Sequence, residues 1–257
     1  MQGRNRATAR PLRRSKVVPG AQRWGDFQSH AVPGARVDER RQSTPLPKLS
    51  QRGPLMTCMI DIMRNDKHNI RAAAKEASHE RIVAAAARAI RRSGYDGTGV
   101  ADIMKEAGLT HGAFYAHFES REAMLAEAAS RACAESAAVV ADVVASTPPE
   151  HALAAMLQAY LSSEHLAQVE LGCPLAALGS ETVRQAPEVR RVTTRHIKAM
   201  VDLAARQSAD WGQPGAHERA LMTVATMVGT LLLARVVDEP ALSKSLCDTA
   251  LKYLAPA

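Results

Sequence analysis

Aromatic side chains are scarce in this chain: 2 Trp, 4 Tyr and 3 Phe among 257 residues. Any core must be built from aliphatic and small residues, and an apolar content of 46% is enough for one packed body. Cysteine is equally sparse. Cys58, Cys133, Cys173 and Cys247 lie far apart without paired spacing, which excludes a disulfide framework or zinc knuckle and fits a reducing cytoplasm. The longest apolar run, Ala220 to Ala234, has 15 residues, contains Thr223, Thr226 and Thr230, and is closed by Arg235. It falls short of the roughly 18 to 20 apolar residues of a bilayer crossing, so it reads as a buried helix and implies no membrane partner. No convincing strand pattern appears. The first acidic residue is Asp26, after Arg4, Arg6, Arg10, Arg13 and Arg14, yet no apolar segment follows as a secretory signal requires.

Charge is unevenly placed. The net charge of +7 resolves into 13 basic and 5 acidic residues over 1–66, against 20 and 21 over 67–257. The first segment also holds Pro11, Pro19, Pro33, Pro45, Pro47 and Pro54. It lacks periodicity and cannot bury enough apolar area to offset its ordering entropy, so residues 1–66 are expected to be a disordered basic arm. Such an arm adds nonspecific DNA affinity, or is an inert tail, or reflects a translation start placed too early.

From about Ala74 the texture becomes helical. Ile82, Val83, Ala86, Ala89 and Ile90 form one stripe, and Gly94 ends it. Ala101 to Ala107 is expected to be a short helix, Gly108-Leu109 a turn, and Thr110 to Phe118 a third helix with Thr110 as N-cap. Ser120 caps a longer helix. Further helices are expected from Pro149, over 174–185, 188–208, 216–238 and 241–254, so the chain is all-α.

Four of the nine aromatics (Tyr95, Phe114, Tyr115, Phe118) fall within Gly94 to Arg121, GYDGTGVADIMKEAGLTHGAFYAHFESR. Two short helices about a tight turn fit a helix-turn-helix, whose second helix enters the DNA major groove. With Phe114 and Phe118 inward at i and i+4, Thr110, His111, Ala113, Tyr115 and His117 fall on the flanks or outer face. Tyr and His suit phosphate oxygens, Gly112 and Ala113 allow close approach to bases, and Arg121 adds a charge for a neighbouring phosphate.

This stretch, extended through Ala123-Met124-Leu125, resembles the DNA-binding domain of TetR/AcrR-family transcriptional regulators. The shared features are the Gly-aromatic pair, the hydroxyl residue before the first short helix, and the Tyr-x-His-Phe motif at Tyr115 to Phe118. The resemblance implies phosphate contacts by Tyr115 and His117, base contacts by Thr110, His111, Gly112 and Ala113, and a backbone contact by Thr98. Gly99 departs from the pattern, standing where a second hydroxyl is common, and Arg121 replaces the usual Lys.

The resemblance also implies the architecture: a three-helix helix-turn-helix domain over 67–124, then an α-helical ligand-binding and dimerisation domain over 125–257. A homodimer would pair the last two helices as a four-helix bundle and read a palindromic operator in double-stranded DNA. A repressor released by a small-molecule or electrophile inducer is expected, with no cofactor. Leu171 to Leu178 looks like an element of TetR-like regulators that sense electrophiles. There Cys173 precedes Pro174 at a helix start, where the dipole favours a thiolate; a buried inert cysteine is the competing reading. Met156, Tyr160 and Trp211 are candidate chamber linings. Enzyme motifs are absent: Gly94 to Gly99 lacks the order and Lys of a P-loop, and His79-Glu80 has Val83 where a zincin needs His. The rival class is an all-α ligand-binding or scaffolding protein with a non-functional helix-turn-helix.

Overall fold

A computed structural model describes the backbone of residues 54–254 and the side chains of residues 69–254. Among these residues there are nine α-helices and one 3-10 helix, and no strand. The helices are α1 (Pro54–Ser93), α2 (Val100–Glu106), α3 (Arg121–Ala145), α4 (Pro149–Tyr160), α5 (Ser163–Ala167), α6 (Pro174–Thr182), α7 (Pro187–Gln207), α8 (Ala216–Val236) and α9 (Pro240–Leu254). The 3-10 helix, His111–Ala116, lies between α2 and α3.

Helix α1 corrects the expected boundary of the arm. It starts at Pro54, so residues 54–66 are helical and not disordered. Proline is tolerated in a first helical turn, and after Pro54 no proline or glycine occurs until Gly94. The expectation for residues 1–53 lies outside the described residues. Gly94 ends α1 as expected, with φ +78, a conformation that favours glycine. A Cβ there would come within 2.6 Å of the Glu181 carboxylate, so a larger residue would also displace that side chain.

Two hydrophobic clusters organise the chain. The first joins Ile82, Ile90, Tyr95, Ile103, Met104, Phe114, Phe118, Met124 and Leu125, with Leu178 and Val189 from later helices. The second joins Val140, Met156, Leu157, Tyr160, Cys173, Val201, Val224, Met227 and Leu231. Helices α3, α6 and α7 each supply residues to both clusters, so no flexible linker separates them. The expected division after residue 124 falls inside the first turns of the unbroken α3.

Helix α8 departs from the expectation of burial. Only 28% of its most apolar window is buried, although by length and composition it could cross a membrane. Its Leu221, Met222, Leu233 and Val236 are exposed, as are Leu242 and Tyr253 of α9. Its inner side packs Ala220, Val224, Met227 and Leu231 into the second cluster.

Candidate nucleic-acid interface

The reading element is a single tight stretch of 3-10 helix, not the nine-residue α-helix expected, and Thr110 makes no side-chain cap. Its inner side is anchored by Phe114 and Phe118, 3% and 4% exposed, with ring centroids 5.6 Å apart. His79 of α1 stacks on Phe118 at 4.6 Å and bonds Glu127 of α3 at 2.7 Å. The element is therefore clamped between α1 and α3. Outward stand Thr110, His111, Gly112 and Tyr115, all exposed, with Ala113 half-buried. Tyr115 is 73% exposed and meets Phe114 edge-on, so its ring is steadied while its hydroxyl faces solvent.

His117 is half-buried, and its Nδ1 is buried without a hydrogen-bond partner. Burial, helped by His79 and Lys75 nearby, holds its pKa below the ordinary histidine value. An approaching phosphate would oppose that shift.

Two expected contacts need correction. Thr98 is 5% exposed; its hydroxyl donates to the Gly94 carbonyl at 2.8 Å, with the Ala89 carbonyl 3.2 Å away. The side chain closes the α1–α2 turn and is not presented to DNA. Arg121 likewise turns inward: its Nη2 donates to the carbonyl of Tyr95 and, at 3.2 Å, to that of Thr98. Carbonyl oxygens of a turn accept from a guanidinium as phosphate oxygens would, and these lie within the same small fold. Gly99 is the N-cap of α2 and supplies no side-chain cap. A Cβ there would make only ordinary contact, 3.4 Å from Asp102 Oδ2.

Sequence reading missed the residues that join this element to the rest of the chain. Glu181 of α6 accepts the Tyr95 N–H at 2.9 Å. Arg91, fully buried, donates to Ala87 O, to Gly172 O and, at 2.6 Å, to Glu135 of α3. A charged residue on an apolar helix flank reads as solvated; partners 44 and 81 positions away leave no local signature.

Of the proposed sensing residues, Met156, Tyr160 and Cys173 share the second cluster, each 2% exposed or less. Trp211 does not join them: it lies 55% exposed in the loop between α7 and α8, and the expectation that it lines a chamber is corrected. Cys173 is the N-cap of α6, as expected, but wholly buried. Its N–H donates to His165 Nε2 at 3.0 Å, while His165 Nδ1 lies 2.6 Å from the Tyr160 carbonyl. That pairing assigns the proton to Nδ1. Burial pushes His165 down to about 4, consistent with a neutral ring. The Tyr160 hydroxyl sits against the Cys173 thiol without a well-formed hydrogen bond, and Arg235 Nη1 has no hydrogen-bond partner.

Comparison with known proteins settles what this geometry belongs to. The family profile for bacterial regulatory proteins of the tetR family matches residues 82–128, the stretch from the α1 stripe through the 3-10 element into α3. An uncharacterised HTH-type transcriptional regulator of Mycobacterium tuberculosis is 30% identical over 165 residues, covering 61% of this chain and 84% of that one. The chain belongs to the TetR family. This TetR-family chain is thus an all-α, DNA-binding transcriptional regulator. A TetR regulator from Chloroflexus aurantiacus is 26% identical, with a TM-score of 0.61, over 71% of this chain and 96% of that one. The reduced form of Escherichia coli NemR shares the fold at 19% identity, with a TM-score of 0.59, over 69% of this chain and 94% of that one. A TetR-family regulator from Agrobacterium tumefaciens does so at 21% and 0.60, over 71% and 100%.

Proposed function

We propose that this TetR-family regulator is a cytoplasmic repressor that binds a palindromic operator as a homodimer and leaves it when an inducer enters the regulatory domain. The observation that carries the reading is the outward face of the 3-10 element: Thr110, His111, Gly112, Ala113 and Tyr115 stand over two buried phenyl rings. Small and hydrogen-bonding on the outside, rigid on the inside, it suits a groove in which Thr110 to Ala113 approach bases and Tyr115 and His117 hold phosphates. Residues 67–124 serve as the reader and 125–257 as the regulatory and dimerisation part.

Dimerisation through α8 and α9 is supported by the apolar side chains they leave in solvent. Leu221, Met222, Leu233, Val236, Leu242 and Tyr253 are each at least 45% exposed. Pairing them with a second copy as a four-helix bundle would remove that area from water. The inducer is assigned to the second cluster, around Met156, Tyr160 and Cys173. An electrophile reaches the Cys173 thiol only after that region opens, because the residue is wholly buried in the closed state.

DNase footprinting of the promoter beside the coding region, with and without candidate electrophiles, tests the reading. One protected palindrome, released by inducer, is expected. Protection that coincides with increased transcription would overturn repression, and absence of any protected site would overturn operator binding.

A further inference from the structure

Phosphate attraction in this regulator is not concentrated where the bases are read. The 3-10 element carries no Lys or Arg, and Arg121 beside it is committed to backbone carbonyls. Arg88 and Arg92 pair with Glu106, Arg92 also with Glu170, Arg91 with Glu135, and Arg131 with Glu80 and Glu135. Between residues 69 and 131 Arg71, Lys75, Arg81 and Lys105, like Arg121, have no ion pair, and the span 67–131 holds 10 basic and 8 acidic residues.

Among the described residues, a dense cationic surface lies elsewhere. Residues 184–198 contain Arg184, Arg190, Arg191, Arg195 and Lys198 against a single acid, Glu188, and all five cations are exposed. Arg191 pairs with Glu188; among the described residues none of the other four has an ion pair. Arg191, Arg195 and Lys198 recur at helical spacing along α7 and repel one another. Arg190, Arg191, Thr194 and Arg195 line a shallow groove with Pro187, of about 430 Å³. The other side of this part of α7 is turned inward through Val189, Val192 and His196.

Placement gives the groove its partner. Val189 and Val192 of α7 pack into the same cluster as Tyr95, Phe114 and Phe118. Glu181, just before this basic stretch, accepts the Tyr95 N–H. The cations thus sit at the end of the regulatory helices that rests on the DNA reader. We propose that Arg184, Arg190, Arg191, Arg195 and Lys198 form an accessory phosphate-binding surface for the backbone of the same duplex, outside the bases read by the 3-10 element. Sequence-independent attraction then comes in part from α7, while the reader supplies selectivity with few charges of its own.

The inference rests on operator binding, and its test separates the two. Full-length Arg190→Ala/Arg195→Ala/Lys198→Ala protein is compared with wild type on a duplex carrying the footprinted site and on one of scrambled sequence, across a salt series. Wild type should show a steep fall of log K with log salt. In the variant the slope should become shallower by up to about 5, since each protomer of the dimer loses three cations and each phosphate contact contributes about 0.9. Both duplexes should lose affinity in parallel, with their ratio preserved and the circular dichroism spectrum unchanged. A wild-type slope in a folded variant overturns the accessory surface while leaving operator binding intact, whatever other anion the groove attracts. Failure of wild type itself to prefer the footprinted duplex overturns operator binding instead. If the alanine variant misfolds, Arg190→Gln/Arg195→Gln keeps the polar stems and is read against the same slope.

Discussion

The two clusters of this regulator treat polar groups differently. Around the DNA reader, buried polar atoms are matched: the Thr98 hydroxyl, the Arg121 guanidinium and the Glu181 carboxylate each close a turn, and His117 Nδ1 is the exception. In the regulatory cluster and beside it, the Tyr160 hydroxyl, Arg235 Nη1 and His196 Nε2 are buried without well-formed hydrogen bonds. An unsatisfied buried polar atom costs about 1 to 3 kcal/mol, so the regulatory side holds a reserve that a ligand or a rearrangement could release. His117 aside, the first cluster closes on its own polar groups, and the second does not.

Six substitutions and one titration would break or sharpen that contrast. The largest effect is expected within the reader. Phe114→Ala should cost about 3 to 5 kcal/mol by urea unfolding, whereas Tyr115→Ala, its exposed neighbour, should stay within about 0.5 kcal/mol yet weaken DNA binding with its salt dependence unchanged, since a neutral hydroxyl releases no counterion. Equal stability losses would show that the outer face is structural. At the seam between the clusters, Arg91→Met removes a buried charge whose partners lie in α3 and in the loop before Cys173. A loss of about 3 kcal/mol is expected; a loss under about 1 kcal/mol would mean that Glu135 simply rehydrates.

Acidification should act on the regulatory side. Burial holds both His165 and His196 down to about 4, while the unfolded chain protonates them near 6.5. The unfolded state therefore binds more protons between these values. Stability is complete above about pH 6.5 and falls as pH drops toward 4, by up to about 1.4 kcal/mol per unit for each ring. His196→Leu should flatten that dependence, and an identical profile in the variant would remove His196 from it. Tyr160→Phe deletes a hydroxyl without a well-formed hydrogen bond and should leave stability unchanged or raise it by about 1 kcal/mol. A clear loss in thermal unfolding would reveal a hidden partner. The smallest change is Gly99→Ser at the N-cap of α2. The backbone there is already extended, with φ −84 and ψ 146, so a gain of a few tenths of a kcal/mol is expected, with tighter DNA binding if the hydroxyl reaches phosphate.

Much of the reader was legible because its signals are local. The Gly94 stop, the Ser120 cap, whose Oγ accepts the Ala123 N–H, and the Phe114–Phe118 spacing each act within a few residues. The start of α1 was misjudged because proline density was read as one segment through residue 66, although a helix can begin at its last proline. Thr98 and Arg121 were assigned outward because their residue types suit phosphate. Nothing nearby shows that the Ala89, Gly94, Tyr95 and Thr98 carbonyls would engage them first. Nothing near Trp211 in sequence marks it as a loop residue turned to solvent rather than a chamber lining.

Periodicity, turn glycines and capping hydroxyls determined the helices, their order and the outward set on the reading element, since each depends on neighbours within about one helical turn. Tertiary packing alone decided that Arg91 is buried, that Arg121 is spent on its own fold, that Cys173 is sealed, and that the arginines of α7 stand beside the reader. These outcomes depend on groups far apart in the chain competing for the same charge or the same space, and that competition is resolved only once the helices meet.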